Sequence, residues 1–441
     1  MSNQIQINEK IKPFNKTITV DGDKSISIRW LLMSSQSTGL SKAYGILKSE
    51  DILSTIDCLK KLGVKIKIKK TYCQVQGVGL NGFKFKNNIK LNAGNSGTLA
   101  RLILGLLIHS KKKITLIGDK SLSNRDFVRV IKPLRKFGAK FFYKKKGLPL
   151  SIKGTNNPKS IKYLERKGSA QCKSSIMLAS LNTPGETIIY AKKSRDHTEM
   201  FFKNLKIPIN IKKNKYYDLI KVKGIKKIKP INYKIPKDIS SSAFFIVLTA
   251  LTEKSKIIIK DVNINSSRIG IITILKKMGL KIFLKNQRIY KNEKVSDILV
   301  KSTKNIKPIN CPSKLNSSAI DEFLVIFLMA AKAKGISYFK DLSELNQKES
   351  PRLKWGAKIL NYIGIKNKVT EDSIKIYGNP KLKIDKKIII KNYLKDHRIF
   401  MTSVIASLVF GGNWTIHDSN SIKTSFPSFL RIIEKLTGRK V

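Results

Sequence analysis

Apolar residues recur at helical spacing along this chain. In several places such a run is closed by a glycine and followed by a short alternating stretch. Leu59–Ile66 reads LKKLGVKI, Leu134–Phe141 reads LRKFGAKF, Leu275–Ile282 reads LKKMGLKI and Leu360–Asn367 reads LNYIGIKN. FKNLKIPI at Phe202–Ile209 is a weaker copy, and IEKLTGRK near the C-terminus is a candidate sixth. Each predicts the end of an amphipathic helix, a glycine at C′ and entry into a strand. The strands between them are short and rich in Ile and Lys, alternating at Lys65–Lys70 and reading IIIK at Ile257–Lys260. Such alternation suits half-buried strands with helices on one face. The first two strong copies begin 75 residues apart, longer than a solenoid period, so repeated subdomains are expected. The expected architecture is α/β (α+β): six similar units, three per domain.

A second pattern is a polar, turn-like stretch that feeds an apolar run. In Leu91–Leu107, LNAGNSGTLARLILGLL, Asn92, Gly94, Asn95, Ser96 and Gly97 form the turn. Leu99, Leu102, Ile103, Leu106 and Leu107 then follow at helical spacing. Gly and Asn tolerate positive φ, and Ser96 or Thr98 stands near the cap. A helix N-terminus opening on such a loop presents backbone N–H groups to an anion, and Arg101 can add a planar charge. An ordinary capped core helix fits the same residues.

Further stretches repeat this design. DGDKSISIR at Asp21–Arg29 follows the strand Thr17–Val20 and puts Lys24, Ser25 and Arg29 at a strand-to-helix turn. That is equipment for phosphate or carboxylate, or simply a basic helix cap. GDKSLSNRDFVR at Gly118–Arg129 offers Arg125. GSAQCKSS at Gly168–Ser175 offers Ser169 and Gln171 as neutral hydrogen-bonding groups. SRDHTE at Ser194–Glu199 carries an Asp196-His197 pair, open to a catalytic or an N-cap role. PKDISSS at Pro236–Ser242 precedes an apolar helix at Ala243–Leu251 and marks a return between domains; the other crossing falls near Val20–Asp23. The expected domains are residues 1–22 with 240–441, and 23–239.

The second half supplies acids. Asp321-Glu322 opens the apolar helix Phe323–Ala331, where the helix dipole favours a carboxylate. LNQKESPR groups Lys348, Glu349 and Arg352, and Asp396-His397-Arg398 precedes another apolar helix. Many cations and few carboxylates at corresponding ends of repeated units suit a cleft for a highly anionic substrate.

Composition changes the picture less than its size suggests. The 441 residues are 41% hydrophobic and carry a formal net charge of +59. Only 13 of the 88 basic residues are Arg. The lysines are spread nearly evenly, without the clustered, Arg-rich, aromatic-interleaved face of a nucleic-acid binder, so no specific nucleic-acid partner is expected. Arg29, Arg101, Arg125, Arg195, Arg352 and Arg398 lie in polar turns, where a rigid guanidinium fork has a use. Arg135 and Arg288 lie in ordinary amphipathic contexts. The four cysteines form neither a CxxC motif nor a disulfide framework, and no spacing suggests a metal site. The opening MSNQIQINEKIKPF lacks an apolar signal core, and no run has membrane-span length. A cytoplasmic protein without a membrane segment is expected.

DKSISIR, GNSGTLAR, GDKSLSNR, GSAQCKSS, SRDHTE, IDE, QKESPR, DHR and SFPSF occur in this order nearly end to end. As a set they resemble the 5-enolpyruvylshikimate-3-phosphate (EPSP) synthase family, nearer the bacterial variants with SAQ and RDHTE. The resemblance implies a two-domain inside-out α/β barrel, each domain three βαβαββ units around a pseudo-threefold axis, with the active site in the interdomain cleft. It implies enolpyruvyl transfer from phosphoenolpyruvate to the 5-hydroxyl of shikimate 3-phosphate, by a monomer without cofactor or metal. Carried over by motif, Lys24, Ser25, Arg29, Ser169, Gln171, Arg195, Asp321 and Lys348 bind shikimate 3-phosphate. Lys24, Asn95, Gly97, Arg125, Gln171, Arg352 and Arg398 bind phosphoenolpyruvate. Asp321 resembles the family's base, and Glu349, with Lys24 nearby, is the candidate proton donor to carbon. Gly97 leaves room for glyphosate.

Two positions depart from the family pattern. Pro351 replaces a common Asp, and Thr424 replaces a common Lys, with Lys423 beside it. Two other readings stay open. One is a UDP-N-acetylglucosamine enolpyruvyl transferase, although Gly118–Arg129 lacks that family's loop Cys. The other is a non-catalytic basic protein that binds polyanions.

Overall fold

The computed structural model describes residues 3–440. The chain forms two compact units. One comprises Met1–Asp21, Pro236–Ile289 and Lys294–Val441; the other comprises Gly22–Ile235 and Tyr290–Glu293. They are called the first and second unit below.

The second unit repeats one motif three times. Ile89–Asn92 pairs in parallel with Ile114–Ile117, which pairs antiparallel with Leu150–Lys153; Lys140–Tyr143 pairs antiparallel with the last of these. The helix Gly97–Leu107 joins the two parallel strands, so the chain order is βαβαββ. The same order runs through Lys162–Glu165, Glu186–Lys192, Tyr217–Lys223 and Ile209–Lys213. A third sheet takes Tyr233–Lys234, from the end of the unit, as the parallel partner of Thr38–Tyr44.

The first unit uses the same plan. Its sheets are built on Lys256–Asn263, on Ile374–Gly378 and on Asn413–His417. The N-terminal strand Asn15–Ile18 is the parallel partner of Lys256–Asn263, and Gln4–Ile7 pairs with Asn413–His417.

Two classes of helix account for the two sequence patterns. Lys24–Ser35, Gly97–Leu107 and Ala170–Ser180 in the second unit are buried almost all round, as are Ile239–Leu251, Phe323–Ala331 and His397–Phe410 in the first. A helix apolar on every side must be a core helix. Each buried Leu, Ile or Phe contributes about 1.5–3 kcal/mol. The indole N–H of buried Trp30 donates to the Ile231 carbonyl at 3.0 Å. The second class is amphipathic and ends in the repeats. Gly63, after Glu50–Lys61, has φ +89°, and a Cβ there would lie 2.6 Å from the Lys84 carbonyl oxygen, so only glycine fits. In the weak copy Lys206 takes the same left-handed turn at φ +55°. It is one more unit of the same plan, closed by a residue that tolerates the turn poorly.

The buried helix Ile239–Leu251 begins earlier than the sequence suggests. Asp238 caps it through Ser240 N–H at 2.8 Å, and Ser242 Oγ donates back to the Asp238 carbonyl at 2.9 Å. Of the three serines that look like a loop, Ser242 thus bonds back into the helix, and all three are buried. Lysines also cover aromatic rings: Lys42 Nζ lies 4.2 Å from the Tyr72 ring centroid and Lys358 Nζ 4.5 Å from that of Trp355.

Candidate functional site

In each unit the core helices begin at polar turns, and the candidate residues gather there as two clusters.

The second unit carries Lys24, Ser25, Arg29, Asn95, Gly97, Arg125, Ser169, Gln171 and Arg195. Lys24 is the first residue of its helix, and Asp23 caps that helix by accepting from Ile26 N–H at 2.9 Å. A cation at a helix N-terminus opposes the dipole. Asp51, itself buried, offsets this by pairing with Lys24 Nζ at 3.0 Å. Arg29 is buried and held by neutral oxygens: Thr198 Oγ1 at 2.8 Å, Ser174 Oγ at 3.1 Å and the Ser25 carbonyl at 3.0 Å.

The Gly-rich loop is tied to the Arg125 turn through Asn95. Asn95 Nδ2 donates to Asp119 Oδ2 at 2.5 Å, and its Oδ1 accepts from Arg125 Nη2 at 3.3 Å. Ser96 is the cap, accepting from Leu99 N–H at 3.3 Å. Arg101 turns inward: it is buried, lies over the Phe127 ring at 4.9 Å and donates to Gln171 Oε1 at 2.8 Å. Gln171 Nε2 donates to Thr98 Oγ1 at 3.1 Å. Ser169 caps its helix through Cys172 N–H, while its own N–H is held by Glu165 at 2.9 Å. Arg195 sits half-buried in the turn before His197–Asn204. His197 is fully buried with Nδ1 2.7 Å from Glu293 Oε1, which favours a structural role over a catalytic one.

The first unit carries Asp321, Lys348, Glu349, Arg352 and Arg398. Arg352 organises them. Its Nε donates to Asp396 Oδ2 at 2.9 Å and its Nη2 to Asp396 Oδ1 at 3.2 Å, a bidentate pair. Nη2 also donates to Glu349, and Nη1 reaches Asp321 Oδ1 at 3.3 Å. Lys348 Nζ lies 3.4 Å from the same Asp321 oxygen. Arg398 Nη1 donates to the Asp321 carbonyl at 2.6 Å. One guanidinium therefore touches both candidate acid–base carboxylates. Burial works to lower the Arg352 pKa, but Asp396, Glu349 and Asp321 outweigh it and raise it. Pro351 stands at the N-cap with φ −71°, which leaves Arg352 as the first helical residue. Thr424 Oγ1 lies 3.3 Å from His397 Nδ1, while Lys423 beside it is exposed. Among the described residues no group of three or more His, Cys, Asp or Glu side chains could hold a metal ion.

Asp396 is fully buried and also accepts from Ser350 Oγ and from Arg398 N–H. Burial pushes its carboxyl pKa up, but Arg352 overcomes this and holds it below the usual carboxylate value. A depressed folded pKa stabilises above the unfolded pKa, about 3.9, and that stability is lost as pH falls through the folded value. Melting temperature is expected to fall on acidification below about pH 4, and Asp396→Asn to flatten that dependence. Parallel slopes in both proteins would place the acid sensitivity elsewhere.

Several of these partners carry no sequence signal of their own. Asp51, Ser174, Thr198 and the second role of Asp396 become visible only when distant segments meet.

The comparisons with known proteins cover the chain almost completely. The family model described as EPSP synthase (3-phosphoshikimate 1-carboxyvinyltransferase) matches residues 8–433. A 3-phosphoshikimate 1-carboxyvinyltransferase of Ruthia magnifica subsp. Calyptogena magnifica is 42% identical over 430 residues, 97% of each chain. Among solved structures, EPSP synthase from Acinetobacter baumannii is similar with TM-score 0.86 and 36% identity, covering 99% of this chain and 98% of that one. An enolpyruvyl transferase from Streptomyces tendae shares the fold, with TM-score 0.78 at 12% identity, covering 99% of this chain and 98% of that one.

Proposed function

The chain belongs to the EPSP synthase family, and we propose that its two clusters act together on one pair of substrates. The enzyme transfers the enolpyruvyl group of phosphoenolpyruvate to the 5-hydroxyl of shikimate 3-phosphate and releases phosphate. This is a step of the shikimate pathway toward chorismate and the aromatic amino acids.

The substrates bring two phosphates and two carboxylates, roughly five to six negative charges, into one place. Lys24, Ser25, Arg29, Ser169, Gln171, Arg195 and Lys348 hold shikimate 3-phosphate in this reading. Lys24, Gln171, Asn95, Gly97, Arg125, Arg352 and Arg398 hold phosphoenolpyruvate. Asp321 contacts the 5-hydroxyl and accepts its proton as the oxygen attacks C2 of phosphoenolpyruvate. Glu349 gives a proton to C3, and a tetrahedral intermediate forms. The roles then reverse: a proton leaves the methyl carbon, the C–O bond to phosphate breaks and phosphate departs. The fixed Arg and Lys groups stabilise the charge that develops.

The observation that carries this reading is the Arg352 clamp, whose guanidinium touches Asp321 and Glu349 while Asp396 anchors it from behind. The enzyme is proposed to act as a monomer. Four buried thiols suit a reducing compartment, and the cytoplasm is the proposed location. No helix among the described residues is long and apolar enough to cross a membrane. The test is phosphate release from phosphoenolpyruvate, with shikimate 3-phosphate in one tube and UDP-N-acetylglucosamine in another. Release in the first tube alone is expected; release in the second alone would overturn the reading.

Gly97 supports a sharper expectation. A Cβ there would lie 2.8 Å from Arg101 Nη1 and 3.0 Å from Arg125 Nη1. Gly97→Ala must therefore displace two guanidiniums beside the proposed phosphoenolpyruvate site. KM for phosphoenolpyruvate is expected to rise about tenfold or more, with KM for shikimate 3-phosphate little changed and inhibition by glyphosate weakened. Equal rises in both KM values would contradict the placement.

A further inference from the structure

Within the first unit a chain of buried polar groups ends at Arg398. It begins at Arg268, which is 2% exposed. Arg268 Nη2 donates to Asp238 Oδ1 at 3.1 Å and to Ser240 Oγ at 2.7 Å. Ser240 Oγ in turn donates to Glu322 Oε1. Glu322 is 1% exposed, and the same Oε1 lies 3.9 Å from Arg398 Nη1, an ion pair rather than a hydrogen bond. That Arg398 nitrogen donates to the Asp321 carbonyl at 2.6 Å.

We propose that Glu322 and Arg268 are positioning residues for phosphoenolpyruvate binding, acting through the Arg398 guanidinium. The physical case is one of alternatives. Arg398 carries a long side chain with several rotamers, and a loose guanidinium makes a poor phosphate or carboxylate clamp. Glu322 supplies a fixed opposite charge behind it. Glu322 could itself swing, but the Ser240 hydroxyl holds it, and Arg268 holds Ser240. Asp238 and Arg268 pair with each other, so the far end of the chain is itself anchored. Because Arg398 also grips the backbone of Asp321, the same chain sets where the candidate base stands. Buried partners that orient ligating groups commonly matter about as much as the groups they orient.

This inference rests on the assignment of Arg398 to phosphoenolpyruvate, so the test includes that residue. Glu322→Gln keeps the shape and an acceptor for Ser240 but removes the charge facing Arg398. Arg268→Lys keeps the charge but loses the fork that spans Asp238 and Ser240. Both are compared with Arg398→Lys and the unaltered enzyme for kcat, both KM values and melting temperature. Glu322→Gln is expected to raise KM for phosphoenolpyruvate about tenfold, with KM for shikimate 3-phosphate changed by less than about twofold. Arg268→Lys is expected to act in the same direction and more weakly. A residue that only supports the fold would not separate the two substrates. If Arg398→Lys raises KM for phosphoenolpyruvate and Glu322→Gln does not, the positioning role is overturned. If Arg398→Lys leaves that KM unchanged, the assignment of Arg398 is overturned as well. Should Glu322→Gln yield no folded protein, Ser240→Ala removes the link while leaving both charges, and its KM values are read the same way.

Discussion

Asp321→Asn is expected to lower kcat about a thousandfold while changing either KM by only a few fold. General base catalysis by a positioned side chain is worth about 10²–10⁴ in rate, and a thousandfold corresponds to about 4 kcal/mol of barrier. The substitution is nearly isosteric, and the amide can still accept from Arg352 Nη1 and face Lys348, so the local framework should survive. The Asp321 side chain is 14% exposed, which leaves it open to a substrate hydroxyl. Its carboxylate stands between two cations, an arrangement that a plain structural ion pair would share. Kinetics separate the two roles. A kcat within about threefold of the unaltered enzyme, in a folded variant, would assign Asp321 to structure alone.

The second large effect concerns Arg352. Its side chain is 2% exposed and faces Asp396, Glu349 and Asp321. Arg352→Ala leaves the Asp396 carboxylate, with 0% exposure, in a dry site without its main counter-charge. Breaking a buried pair from one side costs about 3–5 kcal/mol, because the remaining charge is stranded. The melting midpoint should fall by about 10 °C, and activity should be lost with it. Arg352→Ala combined with Asp396→Asn is expected to melt above Arg352→Ala alone, because the stranded charge is gone, yet to remain inactive. If the double variant melts lower than the single one, the damage lies in packing and hydrogen bonding rather than in the stranded charge.

Much of the fold is legible in the sequence because its signals are local. The helical period of LKKLGVKI, its closing glycine and the alternating strand after it all lie within a few residues of one another. The copy at Phe202–Ile209 looks weak only because Lys206 stands where glycine is usual; its φ of +55° makes it the same turn. The start of Ile239–Leu251 is hidden because three serines resemble a loop, whereas Asp238 caps them into the helix. The turns that carry Lys24, Asn95, Arg125, Ser169, Asp321, Arg352 and Arg398 can be found from their own residues. Their holders cannot. Arg29 is fixed by Ser174 and Thr198, which lie 145 and 169 residues away, and no periodicity links such positions. Arg101 reads as an anion ligand in sequence, yet its guanidinium serves Gln171 and stacks on Phe127. Asp396 reads as part of an Asp-His-Arg triplet, and only folding reveals it as the anchor of Arg352. Pro351 raises the question of register; at an N-cap its fixed φ is compatible with the helix that follows.

The central claim is that cations from both units hold one pair of substrates. The most direct measurement is a crystal structure of Asp321→Asn with shikimate 3-phosphate and phosphoenolpyruvate bound. The expected result is a phosphoenolpyruvate molecule within hydrogen-bond distance of Arg125 from the second unit and of Arg352 and Arg398 from the first. The substituted amide at position 321 should face the 5-hydroxyl of shikimate 3-phosphate. A complex in which both substrates touch residues of one unit only would contradict the account.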